Sequence, residues 1–114
     1  MKPVFKQKKL TAYEASDEAQ KIAFAPLIFQ AVRTMRELGI LEQLEQHKEG
    51  MDAKGIADAL GLTLYGVETL LESGMSCGVV ELNDDERFTL SKVGYYLLHD
   101  PMTRINMDYN HDVC

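Results

Sequence analysis

The sequence predicts a mainly α-helical domain of winged-helix type: a helix-turn-helix, a small β-hairpin wing, and extra helices on the N-terminal side. Three observations predict it. Ala53, Ile56, Ala57 and Leu60 fall at i, i+3, i+4 and i+7, the period of one helix face. After a tight Gly61–Leu62 turn, Leu64, Val67, Leu70 and Leu71 repeat that period as the inner side of a second helix. Two short strand-like runs, Val79–Leu82 and Arg87–Leu90, then flank Asn83-Asp84-Asp85, a turn rich in Asn and Asp.

Each element carries its own boundary signals. Thr11 followed three residues later by Glu14 is a capping-box pattern, opening a helix that runs to about Phe24. Pro26 fits the first turn of a further helix ending at Leu38, with Gly39 as its stop. Two continuous helices with a break near Ala25, or one helix kinked there, are both compatible with this pattern. Ile40, Leu41 and Leu44 mark a short helix, and Gln46–Gly50 is a polar connection. Asp52 and Thr63 are placed to cap the two helices of the helix-turn-helix, and Gly74 and Gly78 to end the second or the turn after it. Ser91 can cap a helix through Val93, Tyr96, Leu97 and Leu98, broken at Asp100-Pro101. Thr103 is expected to cap a last helix carrying Met102, Ile105, Tyr109 and Val113, a pattern still running at Cys114.

Composition bounds the function. The 114 residues suit one domain with its own core. The first ten hold four Lys and no acid, so the remainder carries 8 basic against 18 acidic residues, a charge of −10. That balance disfavours a polyanionic partner, because phosphate contacts supply most non-specific nucleic-acid affinity. The helix that would enter a DNA groove carries no Lys or Arg between Thr63 and Gly78 and offers Tyr65, Glu68, Thr69 and Glu72 outward. Cys77 and Cys114 are too few for a disulfide framework, so a reducing compartment is expected. No apolar run follows the charged start and no stretch reaches membrane-spanning length, so no signal peptide and no membrane contact are expected, and the location is read as cytoplasmic.

Residues for chemistry are sparse. Of His47, Cys77, His99, His111 and Cys114, only His111 and Cys114 are close, at i and i+3, and one pair is not a metal site. His47 and His99 suit helix ends, and Cys77 suits a small buried position. The glycines of Leu70–Gly78 are spaced G-x-x-x-G after a helical segment, whereas a nucleotide cradle needs a Gly-rich turn between strand and helix. No carboxylate, Ser-His or Cys-His pair supports catalysis, so no catalytic, cofactor-binding or metal residue is assigned. What stands out is Ile22–Phe29, apolar on every side. Either other helices wrap it as a core helix, or it faces a second subunit; its aromatics and small residues favour the second.

The segments Ile22–Gln30 (IAFAPLIFQ), Leu38–Leu41, Gly55–Val67 (GIADALGLTLYGV), Leu70–Gly74, Phe88–Gly94 and Asn106–Cys114 carry a resemblance. In order and spacing they resemble the N-terminal domain of S-adenosylmethionine (SAM)-dependent methyltransferases of the O-methyltransferase type, over most of the chain from about Lys21. The resemblance implies a winged helix that dimerises rather than binding DNA, followed in the whole protein by a larger domain that binds SAM and a small-molecule methyl acceptor. It carries over no catalytic or SAM-binding residue. The expected organisation is a mobile basic tail over 1–10, a winged-helix dimerisation domain over 11–99, and the start of a connecting helix over 100–114. The expected homodimer surface is Ile22, Phe24, Leu27, Ile28 and Phe29, with Tyr13 alongside. A winged-helix transcriptional regulator and a free-standing protein-interaction adaptor are the alternative functions.

Overall fold

A computed structural model describes residues 9–113. Its elements are α1 (Ala12–Ala23), α2 (Ala25–Leu38), α3 (Ile40–Gln46), α4 (Ala53–Leu60), α5 (Leu64–Ser76), β1 (Val80–Leu82), β2 (Phe88–Leu90), α6 (Lys92–His99) and α7 (Pro101–Val113). The fold is mainly helical. The expected tail over 1–10 lies outside the described residues except for Lys9 and Leu10, as do the Val113 side chain and Cys114.

Local hydrogen bonds set most boundaries. Thr11 Oγ1 accepts from Glu14 N, while Glu14 Oε1 accepts from Thr11 N, completing the capping box. Asp52, Thr63 and Ser91 each accept from the backbone N–H three residues on, at 2.7, 3.1 and 3.1 Å. Gly39 and Gly61 end α2 and α4 in the left-handed region, at φ 88° and 68°. The α1–α2 join is a break of one residue: Phe24 sits at φ −97°, ψ 6°, and Pro26 opens α2.

The core gathers where α2, α3, α4 and α5 meet the hairpin. Met35, Ile40, Leu41, Ile56, Val67 and Leu71 are wholly enclosed. Strands β1 and β2 pair antiparallel, with Val80 opposite Leu90 and Leu82 opposite Phe88. Met51 adds a bridge to Phe88 through bonds of 3.0 and 2.8 Å, lengthening the sheet edge from the α3–α4 connection. Asn83 organises the hairpin turn. Its Oδ1 accepts from Asp85 N and Arg87 N, and its Nδ2 donates to Glu49 O at 3.1 Å. Those bonds hold Glu86 at φ 59°, a conformation non-glycine residues seldom adopt.

Several sequence expectations are corrected. Gly74 does not end α5 but lies buried inside it, because α2 crosses there and Met35 Cε would stand 3.1 Å from an added Cβ. Gly78, at φ 79°, closes the following turn. Leu64 is exposed rather than inward, since the buried face of α5 is Val67, Leu71 and Gly74. Val93 and Tyr96 are exposed on α6, which buries Leu98 and partly buries Leu97. Thr103 does not cap α7. The cap is Asp100, whose Oδ2 accepts from Thr103 N at 3.0 Å and Thr103 Oγ1 at 2.6 Å, with Pro101 as the first helical residue. Met102, Ile105 and Tyr109 are exposed, and α7 is instead held by buried Met107 and an Arg36–Asp108 ion pair of 3.1 Å.

The Thr103 hydrogen bonds hold the Asp100 carboxyl below the ordinary carboxylate range. A depressed folded-state value means that the carboxylate's stabilisation is complete above the unfolded value, near pH 4, and fades as pH falls through the folded one. An NMR titration of the Thr103 amide should therefore report a midpoint below that of an exposed aspartate. A midpoint at or above the ordinary value would contradict the cap.

Candidate interaction surface

Helix α1 contains no buried residue. The chain is accordingly elongated, 55 × 34 × 23 Å, with a radius of gyration of 16.0 Å against the ~13 Å of a compact domain of this length. Its twelve residues are capped and carry i,i+3 and i,i+4 ion pairs from Lys21 to Glu18 and Asp17, at 3.5 and 3.6 Å. Such exposed pairs add only a few tenths of a kcal/mol each, roughly.

The six residues expected to form the surface separate into three positions. On α1, at ~100° per residue, Tyr13 and Ile22 lie on opposite sides; they are 83% and 76% exposed. At the corner and on the outer flank of α2, Phe24 and Leu27 are 52% and 66% exposed. Ile28 and Phe29 are half-buried and pack against the core behind Val32 and Met35. The first four are therefore available to a partner, while the last two also anchor α2.

Beneath Tyr13's side of α1 lies a groove of 840 Å³. Asp17, Gln20 and Lys21 form one wall, Phe24, Ile28 and Phe29 the base, and Met75–Gly78 at the end of α5 the far wall. Half-buried Cys77 belongs to this wall. Sequence reasoning missed the far wall because nothing in local spacing relates the end of α5 to the start of α2. It also left out Leu38, half-exposed on the flank of α2. Leu38's spacing from Leu27 was the available signal.

Elsewhere, exposed apolar side chains on α6 and α7, among them Val93, Tyr96, Ile105 and Tyr109, alternate with polar and acidic faces. Glu68 and Glu72 are exposed on α5, and the hairpin turn exposes Asp84, Asp85 and Glu86 beside Arg87. His99 Nε2 meets Glu45 Oε2 at 2.5 Å and its ring packs on Tyr95, which ties α6 to α3. Among the described residues no three His, Cys, Asp or Glu side chains are grouped to hold a metal ion. Among them, too, no helix is long and apolar enough to cross a membrane.

The family model of the Dimerisation2-like domain matches residues 17–88, from the middle of α1 into β2. No curated protein matches this chain. Similar solved structures include LepI in complex with SAM, at 22% identity and a TM-score of 0.71. A pericyclic reaction enzyme aligns at 21% identity with the same TM-score, and so does LepI with SAH and a substrate analogue, at 22%. Each alignment covers 88% of this chain and 25% of the other, so the chain spans about a quarter of their length. At these identities the likeness is one of fold.

Proposed function

This chain belongs to the Dimerisation2-like domain family, and from that premise we propose that it is the N-terminal homodimerisation module of a SAM-dependent methyltransferase. The observation that carries the reading is α1: twelve helical residues, none buried, with apolar side chains on both sides. An isolated helix of that length is marginal in water, and tertiary packing supplies most helix stability. A second subunit packed around α1, against Tyr13 on one side and Ile22 on the other and against Phe24 and Leu27 at the corner, supplies the missing packing.

In this reading α4, α5 and the β1–β2 hairpin, extended by the Met51 bridge, form a winged helix over 11–99 used as scaffold. Residues 1–10 are a basic tail, and residues 100–114 begin a connection into a methyltransferase domain. The acidic faces of α5 and the hairpin turn repel phosphate, so nucleic acid is not a partner. SAM does not fit the described residues, whose sheet has two short strands and no glycine-rich strand-to-helix turn. SAM and a small-molecule methyl acceptor, for O-methylation, belong to the other domain. A cytoplasmic location accords with the cysteine usage.

Light scattering should give twice 12.9 kDa at micromolar concentration. A mass of one chain throughout that range would overturn the proposal. Leu27→Asp should weaken the dimer at least tenfold without unfolding the chain, because the charge enters an apolar contact at an exposed position. Phe29→Asp is a poorer probe, since Phe29 packs on the core and its loss also destabilises the monomer.

A further inference from the structure

Leu27, Ala31, Thr34 and Leu38 follow one another at spacings of four, three and four along α2. At ~100° per residue they occupy about 60° of arc, beside the face that Ile28, Val32 and Met35 turn to the core. Leu27 and Leu38 at the ends are 66% and 42% exposed, and Ala31 and Thr34 between them are half-exposed. Thr34 donates its hydroxyl proton to Gln30 O at 2.7 Å, which occupies the side chain's one donor. A 4-3-4 run with large residues outside and small ones inside is the spacing of a helix–helix seam.

We propose that α2 of a second copy docks antiparallel along this flank, crossing at Ala31–Thr34. The proposal rests on the reading that the chain self-associates and specifies the contact. Two features single out a second copy. The four positions are symmetric about the midpoint of positions 32 and 33. An antiparallel two-fold therefore sets Leu27 against the partner's Leu38 and Ala31 against the partner's Thr34 simultaneously, as an isologous contact requires. The corner alone is also too small. The exposed parts of Tyr13, Ile22, Phe24 and Leu27 amount to on the order of 500 Å², against ~800 Å² per partner in a standard interface. The flank is continuous with the corner through Leu27 and supplies the extension. Helix α1 does not cover it: Leu27 and Leu38 stay 66% and 42% exposed with α1 in place.

The test compares Thr34→Glu, Leu38→Glu and Ile105→Glu with the unaltered chain by sedimentation equilibrium, with circular dichroism and thermal melting reporting the fold. Both α2 variants should raise the dimer dissociation constant at least tenfold while staying folded, and Ile105→Glu, on the exposed face of α7, should leave it within twofold. Should half-buried Thr34→Glu unfold the chain, Leu38→Glu alone decides. An unaltered chain that dimerises while Leu38→Glu dimerises equally well overturns the seam but leaves the dimer standing. A monomeric unaltered chain overturns the reading beneath it. The register has its own test: with Cys77 and Cys114 replaced by Ser, mixed Ala31→Cys and Thr34→Cys chains should form a disulfide-linked dimer on oxidation. Absence of that species in a dimeric sample rejects the antiparallel register.

Discussion

Met35→Ala should destabilise the chain by about 2–5 kcal/mol, and adding Gly74→Ala should restore part of the loss. Met35 is wholly enclosed, so truncation removes its transfer energy and leaves a cavity between α2 and α5. Gly74 borders that space: a Cβ there would lie 3.1 Å from Met35 Cε, 3.2 Å from Met35 Sδ and 3.1 Å from Val80 Cγ2. In the unaltered chain Gly74→Ala sets a helix-propensity gain of about 1 kcal/mol against that crowding, and the two nearly cancel. Without Met35 two of the three close contacts vanish, and the added methyl fills part of the cavity. The double variant should thus be more stable than the sum of the singles by about 1 kcal/mol. Urea denaturation of the four chains measures this, and additivity within ~0.3 kcal/mol would show that the two residues do not share a space.

That pair also marks where sequence reading succeeds and where it stops. The caps Thr11, Asp52, Thr63 and Ser91 were legible because each bond joins residues three apart, and the residue types that form it are few. Gly39 and Gly61 were legible because a left-handed residue is a local demand. Gly74 has the same composition signal but a different cause, the approach of another helix, which spacing does not encode. Asp100 was not legible as a cap because Asp100-Pro101 reads as a breaker of the preceding helix, although an acid before Pro is also the start of a helix.

The candidate surface divides in the same way. The apolar excess around Ile22–Phe29 was visible as a density of large side chains. Its division into core-facing Ile28 and Phe29 and outward Phe24 and Leu27 depends on where α5 lies against α2. The exposed face of α7 shows the converse. Met102, Ile105 and Tyr109 have core-like spacing, yet buried Met107 and the Arg36–Asp108 pair determine which side of α7 meets the domain. An amphipathic period states that a face needs covering and leaves open which molecule covers it.

Gly94→Ala should cost about 2 kcal/mol net, against the usual gain from replacing a helical glycine by alanine. The added Cβ would collide with Leu90 Cδ1 and stand 2.7 Å from Val79 O. Leu90 has a flexible end, but the Val79 carbonyl has little freedom. It accepts from Ser91 N at 3.0 Å and from Ser91 Oγ at 2.7 Å, inside the joint between β1, β2 and α6. Relief therefore requires α6 to move as a unit, and that movement strains the Ser91 Oγ bond to Gly94 N. Overpacking of this kind costs about 1–3 kcal/mol, and a weakened buried cap adds about 1 kcal/mol. The propensity gain of about 1 kcal/mol offsets only part. The loss should be localised as well as measurable: amide exchange at Ser91 and Leu90 should accelerate more than exchange at Val67 or Leu71, which lie outside the joint. A Gly94→Ala chain as stable as the unaltered one, with unchanged exchange at Ser91, would mean that α6 does not approach the hairpin this closely in solution.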